Sequence, residues 1–190
     1  MNLFRKTSNS HPLLLGMTAV KMGDRLLQIG CAHGGRLAAL AGKVGLSGRA
    51  CAAVDTEAEA ARARKGAAQA GVLVEVEVTP LAALPFDADA FDLVVVDDTA
   101  DLLPARPEPD RTALLHETLR VLRPGGRVLV VESTGGGGLF GLFGGGKPAD
   151  SPYRQAGGAV AALHAGGFRS ARQLAEREGL SFIEAMKPRG

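Results

Sequence analysis

The 190-residue chain has no tryptophan, one tyrosine and two cysteines, and only 4% of its residues are aromatic. So few rings exclude a base-stacking platform for single-stranded nucleic acid. Neither sign of charge dominates: 22 Lys and Arg stand against 20 Asp and Glu, a net of +2. The basic residues are scattered, so the chain lacks the electrostatic footprint of a nucleic-acid binder, although its pI is about 8.7. Two cysteines make no disulfide framework. Cys31 follows the first predicted strand and Cys51 opens the second, so neighbouring parallel strands hold them at opposite ends. That disfavours a disulfide and points to a reducing cytoplasm. No Cys or His spacing matches a metal site. The opening MNLFRKTSNSHPLLLGM carries a basic pair and a short, interrupted apolar run, which reads as neither a signal peptide nor a membrane span.

What is present is ordinary globular material, 46% hydrophobic and 22% charged. The length suits one domain around one core. Residues 1–22 read as an arm, with Pro12 blocking an early helix and a turn or two of helix within Leu13 to Val20. Residues 23–190 read as the domain, with 135–148 as a glycine-rich insertion. Strands are expected at Arg25 to Ile29, Ala50 to Val54, Val72 to Val78, Phe91 to Val96 and Arg127 to Glu132. Helices are expected at about Gly35 to Val44, from Thr56 through Gln69, at about Asp110 to Leu122 and at about Tyr153 to Ala165. Thr56 with Glu59 forms a capping box, and Pro124-Gly125-Gly126 ends the third of these helices. Phe168 to Glu176 and Leu180 to Lys187 read as a terminal hairpin. Alternating strands and helices imply an α/β, doubly wound, seven-stranded and mostly parallel sheet, with an antiparallel last strand at or near an edge.

The chain is organised around RLLQIGCAHGGRLAALA, residues 25–41, a strand, a glycine turn and a helix in immediate succession. Gly30-Cys31-Ala32-His33-Gly34-Gly35 reads as G-x-A-x-G or as a dinucleotide-type G-x-G/A-x-x-G. Either pattern lets backbone approach a ligand where a side chain would collide. A tight turn that binds nothing is the plain alternative. Asp55, at the end of the second strand, stands where an acid accepts both ribose hydroxyls. An N-cap role is the rival reading for Asp55, but Thr56 suits that position better.

In order, QIGCAHG, AAVD, LPFDADAFDLVVVDD, LRVLRPGGRVLVVE and the final GFRSARQLAEREGLSFIEAMKP resemble the class I S-adenosylmethionine-dependent methyltransferases. They most resemble the small-molecule group that includes ubiquinone/menaquinone-type enzymes. The resemblance implies a Rossmann-like methyltransferase fold, S-adenosylmethionine as cofactor and a small, apolar acceptor. Gly30, Cys31, Ala32 and Gly34 then line the methionine and ribose end. Asp55 holds the ribose, Thr56 lies beside adenine, Leu81 packs near it, and Asp97 sits near the sulfonium and the acceptor. Asp97, Asp98 and His33 are candidate bases, needed only if the acceptor must lose a proton. His116 and His164 read as surface or structural residues.

Three positions depart from the family pattern. Gln28 stands where an acid is usual, Ala32 replaces the second glycine, and Pro80 replaces an acid that often meets adenine. These departures motivate a second reading, a methyltransferase-fold protein that binds the cofactor or its product with little or no catalysis. A nicotinamide-dependent oxidoreductase is a third, opposed by LRPGG and the reversed last strand. Asp97-Asp98 is similar to the metal-binding acid of catechol-type methyltransferases. No Asp-Asn pair follows the fifth strand, where Glu132-Ser133-Thr134 stands, so no metal is expected. The glycine-rich GGGGLFGLFGGGK is either a surface loop or a lid over the acceptor, with Leu139, Phe140, Leu142 and Phe143 offering apolar contact or touching a membrane transiently. Without large insertions, the acceptor pocket falls to the arm and this segment, or to a second copy in a homodimer.

Overall fold

Near-continuous apolar runs give the central strands two buried faces, and helices cover both. The computed structural model describes residues 11–134 and 151–190. The glycine-rich segment and its expected lid therefore lie outside the described residues, as does the arm before His11.

In chain order the described elements are α1 (Pro12–Thr18), β1 (Arg25–Ile29), α2 (Gly34–Val44), β2 (Arg49–Val54), α3 (Glu57–Ala70), β3 (Glu75–Val78), β4 (Phe91–Asp98), α4 (Glu108–Val121), β5 (Leu122–Ser133), α5 (Pro152–Gln155), α6 (Gly158–Ala165), β6 (Arg169–Arg177) and β7 (Leu180–Met186). The strands form one seven-stranded sheet in the order β3-β2-β1-β4-β5-β7-β6. β1 to β5 pair in parallel, while β7 runs antiparallel to both β5 and β6. The expected fold class is the one observed.

Residue alternation sorts the core by face. Leu27, Ile29, Val94, Val96, Val128 and Val130 pack with Leu114 and Leu115 of α4 and Leu163 of α6. Leu26, Leu93, Val95, Leu129 and Val131 pack on the other face with Leu14 of α1 and Leu40 and Val44 of α2. The crossover after β1 turns through α2, and α3 follows beside it. Thr56 caps α3 by accepting from the Glu59 N–H at 3.3 Å, and Gly71, in the left-handed region at φ 66°, closes it.

Four local expectations change. Pro12 opens α1 at its first turn rather than blocking it, because the first turn needs no N–H from that position. β3 is shorter than expected: it is an edge strand, and Val72 and Val74 pack sideways without laddering. α4 ends at Val121, before Pro124-Gly125-Gly126, because Leu122 already turns extended and pairs with Phe91. The Pro-Gly-Gly segment is instead a bulge inside β5 opposite Asp92, with Gly125 at φ 73° and Pro124 lacking a donor. The expected helix over Tyr153 to Ala165 breaks into α5 and α6, since Gly157 and Gly158 both take positive φ.

Candidate functional site

β1 ends in a tight turn. The Gly30 N–H continues the ladder by donating to the Ala53 carbonyl at 2.9 Å, and the backbone then turns through φ 76°. That conformation favours glycine, and a Cβ here would lie 3.3 Å from both the Asp97 carbonyl oxygen and the Leu102 side chain. The next two N–H groups have carboxylate partners: Cys31 donates to Glu59 Oε1 at 3.1 Å and Ala32 to Asp97 Oδ2 at 3.0 Å. Arg62 Nε in turn donates to the Cys31 carbonyl at 2.9 Å. α3 thereby grips the turn from one side and β4 from the other.

Gly34 meets a different need. A Cβ on it would fall 2.1 Å from the Arg62 carbonyl, and one on Gly66 would fall 2.4 Å from the Gly34 backbone. α2 and α3 cross backbone against backbone at these two glycines. Helix packing by itself requires the glycine at 34.

Gln28 is buried, 1% exposed, and its Nε2 donates to the Gly30 carbonyl at 2.9 Å. Asp97, on the neighbouring strand β4, is also buried, 4% exposed. Asp97 Oδ1 accepts from Arg36 Nη1 at 2.9 Å and from the Thr99 hydroxyl at 2.6 Å. Arg36, at the start of α2, also reaches the Thr99 hydroxyl at 2.7 Å. Gln28, Gly30, Ala32 and Asp97 are thus brought together, joined by Arg36 and Thr99, which sequence reasoning missed. Asp98 is buried too and accepts from the Leu103 N–H at 2.7 Å.

Asp55 stands at the carboxyl end of β2, and Arg106 donates to its Oδ2. Arg106 Nη1 also donates to the Leu102 carbonyl at 2.5 Å. Burial pulls the guanidinium below its usual pKa, with the charge of Asp110 opposing. Thr56 exchanges hydrogen bonds with Glu59, whose Oε2 also accepts from the Asp55 N–H at 3.3 Å. Leu81 is buried, 3% exposed, in the core cluster that contains Ile29, Ala53 and Val96.

A cavity of about 520 Å³ opens between α4 and the α5–α6 pair. Ala156, Ala161, Ala162, Ala165 and Leu115 give it an apolar wall, while Arg106, Glu108 and Arg111 bring charge. Tyr153 also lines it, with the Arg111 guanidinium 4.8 Å from its ring centroid. The Tyr153 hydroxyl is buried and has no hydrogen-bond partner among the described residues. Burial, then the charges of Glu132 and Asp98, push its pKa up. His33 is elsewhere. It is exposed at the N-cap of α2 and borders a polar groove of about 410 Å³ with His11, Arg36, Arg62 and Lys65. His116 and His164 are exposed. Cys31 and Cys51 are both free and buried, and burial first of all pushes each thiol up to about 12.

A family model described as a methyltransferase domain matches residues 27–130. The chain is 30% identical over 115 residues to the 27-O-demethylrifamycin SV methyltransferase of Amycolatopsis mediterranei, covering 60% of this chain and 40% of that protein. It is 39% identical over 59 residues to the ubiquinone/menaquinone biosynthesis C-methyltransferase UbiE of Geobacter sulfurreducens, covering 31% and 21%. The chain spans less than half the length of these curated relatives. Among solved structures, a SAM-dependent methyltransferase from Aquifex aeolicus superposes with a TM-score of 0.72 at 20% identity, over 93% of this chain and 88% of that one. The cyclase SpnF superposes at 0.69 with 19% identity, over 94% and 80%. At such identities the likeness to solved structures shows the fold.

Proposed function

The chain belongs to the S-adenosylmethionine-dependent methyltransferase domain family, and on that premise we propose that it transfers a methyl group to a small, largely apolar acceptor. The carrying observation is the juxtaposition of the Gly30 turn, Asp55 and the α4–α6 cavity, with Arg106 touching the last two. The residues fit the cofactor. Gly30 keeps a side chain out of a corner where a Cβ would meet the Asp97 carbonyl at 3.3 Å, and Asp55 ends the neighbouring strand. Following the family resemblance, Gly30, Cys31 and Ala32 face the methionine end, Asp55 accepts the ribose hydroxyls, and Thr56 and Leu81 serve the adenine side.

When bound, S-adenosylmethionine supplies a methyl already activated on a sulfonium, so the protein's task is alignment. Gln28 orients the Gly30 carbonyl, and Asp97 ties Ala32, Arg36 and Thr99 into one rigid corner. Both Asp97 oxygens are engaged by these donors, so we assign Asp97 to positioning the turn and not to proton abstraction. His33 shares no wall with the acceptor cavity, and the reading gives it no part in the reaction. The cavity volume suits a small organic molecule, whose sites commonly fall at roughly 300–1,000 Å³, and its alanine wall suits an apolar one.

A second reading is binding without turnover. Gln28 in place of an acid favours it, as does the absence of an unengaged base at Asp97. The fold does not decide the matter, since it serves a cyclase as well. Titration calorimetry with S-adenosylmethionine, S-adenosylhomocysteine and NAD tests both. Heat with the first two and none with NAD is expected, followed by S-adenosylhomocysteine formation when small apolar acceptors are supplied. No heat with either sulfur ligand, from the wild-type chain or from Arg106→Gln, refutes the proposal. Binding without product on any acceptor favours the second reading.

A further inference from the structure

Two side chains of one short segment stand against the expected cofactor corner. Arg106 occupies the Asp55 carboxylate, and the Leu102 methyl groups stand 3.3 and 3.4 Å from where a Gly30 Cβ would be. These observations are independent, one an ion pair and the other an apolar contact, and both arise from residues 99–107. The segment itself is well anchored. Leu103 is fully buried, its N–H donates to Asp98 Oδ1 at 2.7 Å, and Arg111 Nη1 donates to the Arg106 carbonyl at 3.0 Å. Pro104 and Pro107 restrict the backbone on either side of Arg106.

We infer that the Leu102 and Arg106 side chains form a latch over the cofactor corner, which the cofactor must displace to bind. The inference rests on the methyltransferase reading. A ribose diol and a guanidinium seek the same carboxylate oxygens of Asp55, so they compete. The binding affinity is reduced by the fraction of molecules in which the latch is shut. Movement is confined to the two side chains, because Leu103 and the Arg106 carbonyl hold the backbone. Arg106 also lines the α4–α6 cavity, so its release from Asp55 changes one wall of the acceptor site. Asp110 and Glu108 lie on the same helix end, and Arg111 adds a like charge, so the freed guanidinium remains in a mixed-charge setting.

The test is calorimetric titration of S-adenosylhomocysteine into the wild-type chain and the Arg106→Gln, Arg106→Lys, Leu102→Ala and Asp55→Asn variants, each checked for folding by circular dichroism. Arg106→Gln and Leu102→Ala should bind at least threefold more tightly than wild type. Arg106→Lys, which keeps the charge, should stay closer to wild type than Arg106→Gln does. Asp55→Asn should bind at least tenfold more weakly. If wild type binds and Arg106→Gln and Leu102→Ala bind no more tightly, the latch is overturned while the methyltransferase reading stands. If wild type fails to bind but Arg106→Gln binds, the latch is supported. If no variant binds, both fall.

Discussion

At the scale of single residues, glycines at two positions of one motif serve different ends. Gly30 gives the turn its positive φ, whereas Gly34 lets α2 lie against α3. Its counterpart Gly66 sits inside α3, where alanine is the better helix former by about 1 kcal/mol. Propensity alone therefore says that Gly66→Ala stabilises. Packing says otherwise: the new Cβ would lie 2.4 Å from the backbone of Gly34, and backbone cannot step aside by changing rotamer. Overpacking commonly costs about 1–3 kcal/mol and more where backbone must shift. Gly66→Ala should therefore lower Tm by roughly 3–6 °C, measured by thermal unfolding. An unchanged or higher Tm would show that the crossing can relax. The motif's pattern was readable in the sequence, but the reason for Gly34 was not, because its partner is 32 positions away.

At the scale of elements, three strands are tied together at their amino ends. Asp92 near the start of β4 accepts from the Arg25 N–H of β1 at 2.8 Å, from Arg25 Nε at 3.2 Å and from Arg123 Nε of the β5 bulge at 2.5 Å. Burial alone would raise the Asp92 pKa, but the hydrogen bonds from Arg25 and Arg123 bring it down to about 2. A carboxyl depressed on folding stabilises the protein above its unfolded pKa, and that stabilisation is lost as pH falls through the folded value. Stability should thus decline between about pH 4 and pH 2, the ordinary carboxyl value being 3.8. Asp92→Asn should be less stable than wild type at pH 7, and the gap should close toward pH 2. Urea midpoints at pH 7, 4 and 2 measure it, and a constant gap would remove Asp92 from the acid response. The same bulge shows what element boundaries conceal. Pro-Gly-Gly signals a break, yet whether it ends a helix or interrupts a strand depends on Phe91 pairing with Leu122.

At the scale of the molecule, the sheet needs its terminal hairpin. β7 lies between β5 and β6 and not at the edge, with Phe182 and Ala185 fully buried and Ile183 nearly so. Its antiparallel ladder covers the whole run from Arg127 to Ser133 of β5. Deleting residues 168–190 would leave that edge unpaired beside a row of valines, a template for association. The truncated chain should elute as aggregate on size exclusion and lose the cooperative unfolding of the full chain. A monomeric, cooperatively folded product would show that β1 to β5 suffice. Among the described residues no helix is long and apolar enough to cross a membrane.

Local chemistry determined most of the elements and their order. Alternation, caps and turn residues act within a few positions, so β1 is legible in Arg25 to Ile29 and the α3 cap in Thr56 and Glu59. The family resemblance likewise rests on short motifs, which is why the Gly30 turn and Asp55 could be named as a pair. Tertiary structure decided what those residues touch. Arg36 on Asp97, Glu59 on the Cys31 N–H and Arg106 on Asp55 join residues 61, 28 and 51 positions apart. No periodicity records such meetings, because they follow from the sheet order and the packing of helices upon it. Gln28 shows the division most clearly. The sequence marks it as a missing charge, and the fold shows its buried amide donating to the Gly30 carbonyl of the turn.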